Sequence, residues 1–560
     1  VLSLFLIPLV CAALGLSRLE ASQQPRFEAR PSLSFQHLSG TPQKRYIIET
    51  MGSGVALFDY DGDGDLDIYL VNASTLERLA EGVPGEPNRL FRNDGGWEFT
   101  DVTDKAGLGD RGFGQGTAVG DIDNDGDLDL YVTNYGPNVF FLNNGDGTFS
   151  QLARGVEDQR WGTSAVFGDV DADGFLDLYV CNYLVFDRDL LDRLVPRRFC
   201  EWKGIQVHCG PRGFNFASGV LYHNRGDGTF EDWTESAGVT NFETYQLGAI
   251  FSDLDLDGDQ DLYVATDMTF NLLFENNGDG RFSDLSLASG TALSQMGAEQ
   301  AGMGVDVGDV NGDGSLDIFV TNYSDDYNTL YLSRGEMIFE DASDLANLAA
   351  GSLPYLGWST RLVDFDADGD LDIFLVSGHV YPQVDGSDLG ESFRQPMQLY
   401  LNRGDGTFDN ANALLGAEPE PRVARGAAIG DLDGDSSQDI VVNIMDGNPV
   451  LLANRLSPGA GNIVIRLVGR TASRDGIGAV VQAELGDRIV LREVSGSRGY
   501  LSHSDDRLYL GLGSRGRVDK VTIRWPGGGL DTLNHLPAGS YVIVEGVGVV
   551  AGGGDKSALH

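Results

Sequence analysis

Seven short stretches of this sequence carry side-chain oxygens at spacings that suit a metal ion. They begin at Asp59, Asp121, Asp169, Asp253, Asp309, Asp364 and Asp431, and each sets carboxylates, or in one case an amide, at positions 1, 3, 5 and 9. The predicted coordinating sets are Asp59, Asp61, Asp63 and Asp67; Asp121, Asp123, Asp125 and Asp129; Asp169, Asp171, Asp173 and Asp177; Asp253, Asp255, Asp257 and Asp261; Asp309, Asn311, Asp313 and Asp317; Asp364, Asp366, Asp368 and Asp372; and Asp431, Asp433, Asp435 and Asp439. Such a cage suits Ca²⁺, a hard ion that takes six to eight oxygen ligands at about 2.3–2.6 Å. In the second loop Gly126 makes the bend, and the Asp127 carbonyl is expected to add a ligand. Asn311 keeps an oxygen in the fifth loop, whereas Ser436 replaces the bend glycine in the seventh, so up to seven ions are expected with the seventh site weakest.

An EF-hand opens in the same way but needs a bidentate Glu at position 12 and flanking helices. Position 12 is instead Leu70, Val132, Val180, Val264, Val320, Leu375 and Val442, apolar in every loop. β-Branched and aromatic residues follow each loop, as in Asp129-Leu-Tyr-Val132, and small residues precede it, as in Gly116-Thr-Ala-Val119. The loops therefore join two strands. A second signature lies between them: Phe141-Leu-Asn-Asn-Gly-Asp-Gly-Thr-Phe149 and its relatives at Tyr222–Phe230, Phe274–Phe282 and Tyr400–Phe408 read as a hairpin whose glycines supply positive φ. Arg225-Gly-Asp227 and Arg403-Gly-Asp405 fall at this turn, where sister copies have Asn144 and Asn277, and we read them as turn residues.

These repeats resemble the calcium loops of FG-GAP (integrin-α-like, or VCBS) repeats, one per blade of a β-propeller. The resemblance implies an all-β fold, a seven-bladed β-propeller over residues 51–456. Each blade would run strand, calcium loop, strand, connection, strand, glycine turn, strand, which puts the calcium loops on one face and the connections on the other. From the first loop Asp to the hairpin Asn or Ser is 22 to 24 residues in four blades but 34, 55 and 38 in the first, third and sixth, so three insertions decorate the face opposite the calcium. Long loops on a rigid scaffold often carry binding, and Trp202, Lys203, Arg212, Phe214, Phe216, His379 and Tyr381 are the candidates there, with capping of blade edges as the other reading. Leu33–Leu38, within an N-terminal segment of residues 23–50, is expected to close the ring by completing the seventh blade. Beyond Gly461 the repeat stops. Arg474-Asp-Gly-Ile-Gly-Ala479, Gly496-Ser-Arg-Gly-Tyr-Leu501, Leu510-Gly-Leu-Gly513 and Val521-Thr-Ile-Arg-Trp-Pro-Gly527 resemble the ASPIC and UnbV domain that follows such repeats in the cartilage acidic protein family, here a small β-rich domain over 461–546. Residues 547–560 read as a flexible tail.

The formal charge is −45, of which the coordinating positions supply 27 carboxylates. Crowded carboxylates repel, so metal binding and folding should be coupled. A chain this acidic, with no basic patch, is not expected to bind nucleic acid. Val1–Leu16 is nearly all apolar and reads as the core of a signal peptide with a truncated start over 1–22, an uncleaved membrane anchor being the alternative. Export would place the protein outside the cell or in the periplasm, where calcium is plentiful, and a monomer is expected. Cys200 and Cys209 are read as a disulfide that staples the longest insertion, against a zinc site with His208, and Cys181 as a buried thiol. No Gly-x-Ser-x-Gly elbow, His-Glu-x-x-His or phosphate loop is present. The chain is thus expected to bind an extracellular protein or glycan, as an adhesion module, rather than to catalyse. The alternative is an exported enzyme, polysaccharide-degrading or tailoring, that uses the insertion-bearing face or Arg474, Asp475 and Tyr500 of the C-terminal domain.

Overall fold

The computed structural model describes residues 25–186, 200–240, 242–416, 420–456, 461–495 and 497–552. The expected signal segment, residues 1–22, lies outside them. The fold is an all-β propeller followed by a small β domain.

Seven four-stranded antiparallel sheets follow one plan. In the second, Phe113–Gly120, Asp129–Tyr135, Val139–Asn143 and Phe149–Gln151 run outward in that order, with the calcium-type loop between the first two strands. The first strands of successive sheets lie side by side around an axis, and that of the seventh, Ala424–Gly430, packs against that of the first, Val55–Phe58. Small residues dominate these innermost strands because the sheets converge there. A Cβ on Gly304 would lie 2.3 Å from the Trp358 carbonyl oxygen of the next sheet. The second strands carry the β-branched and aromatic residues, which fill the wedges between sheets.

The hairpin asparagine is the weld between neighbours. Asn143 donates its side-chain NH₂ to the Tyr60 carbonyl of the preceding sheet's loop at 3.0 Å and to the Leu128 carbonyl of its own loop at 3.1 Å. Asn224, Asn276, Asn402 and Asn454 repeat the reach to the preceding sheet, and Asn93 makes it to Leu432, joining the first sheet to the seventh. In the fifth sheet the position is Ser333, too short for it.

The outer strand of the seventh sheet comes from the N-terminal segment, but it is Phe27–Ala29 rather than Leu33–Leu38. The register gives the reason. Phe27 faces Asn454 as Phe99 faces Asn93 and Phe149 faces Asn143, so the seat belongs to a three-residue strand that opens on a Phe, not to an alternating run. Leu33 and Phe35 instead bury their side chains between the first and seventh sheets.

The C-terminal domain packs two four-stranded sheets, one built on Asn462–Val468 and one on Val480–Leu485. The second of these also holds Leu530–Pro537, and the first holds Gly539–Val544, parallel to Asn462–Val468. Gly548–Gly552 is a further strand, paired with Gly539–Val544, where a flexible tail was expected. Its backbone completes the sheet edge. The remainder of that expected tail, 553–560, lies outside the described residues.

Candidate metal centres and an axial pocket

Each acidic loop is built by the same hydrogen bonds. The position-1 carboxylate accepts from the position-6 N–H, as Asp121 does from Gly126 at 2.8 Å and Asp431 from Ser436 at 2.9 Å. The position-5 carboxylate accepts from the position-7 N–H, as Asp125 does from Asp127 at 3.0 Å. The position-9 carboxylate is a keystone: Asp129 accepts from Ile122 N–H at 3.2 Å with one oxygen and from Asn143 N–H at 2.8 Å with the other. Two positions adopt left-handed backbone. Position 6 has φ between +86° and +114° where it is glycine and +68° at Ser436. Position 4 is left-handed too, at Asn124, Ala172, Leu256 and Ala367 as well as at three glycines, a demand the sequence reading did not include.

What remains in each loop is an oxygen cluster with charge to spare. Ligand-capable oxygens of Asp59, Asp61 and Asp67, of Asp121, Asp123 and Asp129, of Asp169, Asp171 and Asp173, and of Asp253, Asp255 and Asp257 lie within 4.8 Å of one another. One carboxylate oxygen each of Asp123, Asp253, Asp366 and Asp433 is buried and accepts no hydrogen bond. Burial, and then the neighbouring carboxylates, push Asp129 up to about 9, Asp366 to about 8 and Asp317 to about 7. Buried acceptors without donors, gathered with like charges, are a donor set for a hard dication, and the residues present fit Ca²⁺. When bound, the ion supplies the positive charge that holds these carboxylates ionised. In the third loop His223 hydrogen-bonds Asp177 at 3.0 Å and stacks on Trp233, as a satisfied turn residue would.

The C-terminal domain sits on this loop face. Arg524 pairs with Asp253 at 2.5 Å, Arg488 with Asp370, and the Gly511 N–H donates to Asp364 at 3.1 Å. Asp475 accepts from the Asp121 N–H, and Asn124 from the Arg474 N–H. From the same domain the segment Gly499–Asp505 runs down the axis and hydrogen-bonds the innermost strands, with Thr117 N–H to Leu501 and Leu57 N–H to His503. Tyr500 at its tip is fully buried, donates to the Met51 carbonyl at 3.2 Å and packs on Trp358. Asp475 and Tyr500, singled out for possible chemistry, are therefore taken up in docking. Arg225 and Arg403 also have intramolecular partners, Glu231 and Asp409 within their own hairpins.

On the opposite face the axis opens into a cavity of about 260 Å³. Cys200 and Cys209 form a disulfide in the third sheet's insertion, and Trp202, Arg212 and Tyr381 of the predicted set line the cavity. His379 and Lys203 stand behind Trp202: the His379 ring lies 5.2 Å from it, Lys203 Nζ lies 4.6 Å over it, and Glu391 links the two. Phe214 and Phe216 do not join them. They pack on Phe186 and Tyr245 and brace the insertion. The sequence reading missed Tyr183, Asp267 and Tyr323, whose signal is register: each stands six residues after its loop's last carboxylate, as does Tyr135. Tyr183 donates its hydroxyl to Asp267, and burial pushes that carboxyl up to about 6.

Comparison with known proteins agrees with the two-part plan. Residues 59–132, 121–180, 253–320 and 309–375 match the FG-GAP-like repeat, and residues 469–548 match ASPIC and UnbV. Cartilage acidic protein 1 of Homo sapiens is 26% identical over 503 residues, covering 86% of this chain and 61% of the relative; that of Xenopus tropicalis is 25% identical, covering 86% and 62%. This chain thus spans about three fifths of the length of those relatives. Among solved structures, BBS1N in complex with ARL6DN covers 77% of this chain and 97% of its own, at 10% identity and a TM-score of 0.40.

Proposed function

We propose that the FG-GAP-like repeats and the ASPIC and UnbV domain of this chain together form an exported recognition module, stapled by calcium, that holds a protein or glycan on its insertion-bearing face. The observation that carries this reading is the position of the C-terminal domain. It covers the loop face and fills the axis with Gly499–Asp505, so among the described residues the face left open is the one with the disulfide-braced insertion and the cavity. Calcium in this reading is structural, because the orphaned oxygens of Asp123, Asp253, Asp366 and Asp433 point to a ligand the loops need in order to tolerate their own charge. The homology to cartilage acidic protein 1 supports export, and seven calcium-filled loops would make the chain a rigid platform.

Thermal unfolding with calcium and with a chelator tests the staple. A ligand that binds only the native state adds about 3 kcal/mol at a hundredfold excess over its Kd, so several sites should raise Tm markedly. Recognition is read separately, by retention on immobilised extracellular proteins and glycans in calcium, with the eluate analysed for product. Retention without product supports a binding module; turnover on the same panel would establish the enzymatic alternative. An unchanged Tm would end the calcium reading.

A further inference from the structure

The axial cavity has a chemical character of its own. Tyr183, Trp202, Tyr323, Trp358 and Tyr381 supply its walls, so π-faces and ring edges dominate what an occupant would touch. The acidic groups at its surface, Asp267, Asp326 and Glu299, outnumber the one guanidinium, Arg212. His208 adds no positive charge near neutral pH, since burial holds it down to about 4. The Tyr323 hydroxyl is buried without a well-formed hydrogen bond, its neighbour being the hydroxyl of Tyr381. Trp202 already carries an ammonium on one side, that of Lys203, which is not part of the cavity lining.

Aromatic faces attract cations through their quadrupoles, most strongly where water is excluded, and a nearby carboxylate adds a full charge to that attraction. A neutral sugar would stack on the same rings but bring no charge to Asp267, which has the Tyr183 hydroxyl and Arg212 as partners yet shares the cavity with Asp326 and Glu299, and an anion would meet three carboxylates. We propose that this cavity binds an organic ammonium group carried on an apolar body, with the rings of Trp202, Tyr323 and Tyr381 as the cage and Asp267 as the counter-charge. The inference deepens, and rests on, the reading of the insertion-bearing face as the recognition face. Tyr500 gives the C-terminal domain a part in it, because it backs the wall through Met51 and Trp358.

The test uses the full chain in saturating calcium, titrated with choline chloride and, as the neutral isostere, 3,3-dimethyl-1-butanol, read by tryptophan fluorescence and calorimetry. Choline should bind saturably and at least about tenfold more tightly than the alcohol. Asp267→Asn keeps the shape and should weaken choline about tenfold while leaving the alcohol unchanged. Trp202→Leu, in the insertion rather than the propeller core, is the second variant if Asp267→Asn fails to fold, and should weaken choline about tenfold and the alcohol by much less. A peptide bearing trimethyllysine that binds more tightly than choline would assign the ammonium to a protein partner, and equal affinity would assign it to a free small molecule. Absence of saturable choline binding, or an alcohol that binds as well, would overturn the proposal. Because calcium-dependent unfolding and retention on the protein and glycan panel are measured independently, that failure would leave the recognition reading standing.

Discussion

Ser436 stands where six sister loops have glycine, at a φ of +68° that an L side chain adopts at a cost of about 1 kcal/mol. Ser436→Gly should therefore raise stability by about that amount and, on the proposed calcium reading, make the seventh loop bind calcium more tightly, measured by unfolding with and without calcium. Asp267 offers a prediction of the opposite kind. Its folded-state pKa, about 6, lies above the unfolded value of 3.8, so the fold bears the cost of an ionised buried carboxylate at pH above 6 and is free of it below 4. The groups that bear on it are the Tyr183 hydroxyl, Arg212 and Asp326. Asp267→Asn should stabilise the ligand-free protein at pH 7.5 by at most about 3 kcal/mol, and should bring no gain at pH 4. A gain that persists at pH 4 would mean that packing, not charge, is the cause.

At the scale of strands and hairpins, the asparagine weld does what hydrophobic wedges cannot: it fixes the register of one sheet on the next. Asn143→Ala removes a donor from one buried and one half-buried carbonyl and should cost about 1–3 kcal/mol in chemical denaturation. Ser333→Asn, which restores the weld missing between the fourth and fifth sheets, should add about 1 kcal/mol. Why some of this was legible in the sequence and some was not follows from how much chemistry each element demands. Seven oxygen cages cannot be built without aspartates at fixed spacing, and the strands after them carry β-branched and aromatic residues that few other states favour. The left-handed position 4 left only a partial trace, glycine in three loops and Asn124 in a fourth, because Ala172, Leu256 and Ala367 accept strain that the surrounding hydrogen bonds hold in place. The closing strand Phe27–Ala29 is only three residues long, and its signal is one Phe seated opposite an asparagine. In the C-terminal domain Leu530–Pro537 is mostly exposed, so no buried alternation announced it. The residues six places beyond each loop were present in the sequence as a register, but only the ring of sheets brings Tyr183, Asp267 and Tyr323 to one mouth.

For the whole molecule, the two domains are tied together by charge as well as by shape. Asp306, fully buried on an innermost strand, meets Arg498 of the C-terminal domain at 2.9 Å, and Arg498 also donates to the carbonyls of Val307 and Glu493. Arg498→Met should destabilise the intact chain by about 1–3 kcal/mol, because it takes the nearer cation from a buried carboxylate that keeps Arg361 at 3.6 Å, and denaturant unfolding of the full chain measures it. The pairing of Phe27–Ala29 with Val450–Asn454 sets an order in time as well as in space. A chain emerging from the ribosome or an export channel makes its first outer strand at the start and that strand's partner more than four hundred residues later, and the axial segment with Tyr500 later still. Until then the first innermost strand has no seventh sheet to lie against, and the nascent protein carries an open edge through most of its own synthesis. Closure of the circle is therefore an act of the finished polypeptide, and any premature stop before Val450 yields an arc rather than a smaller ring.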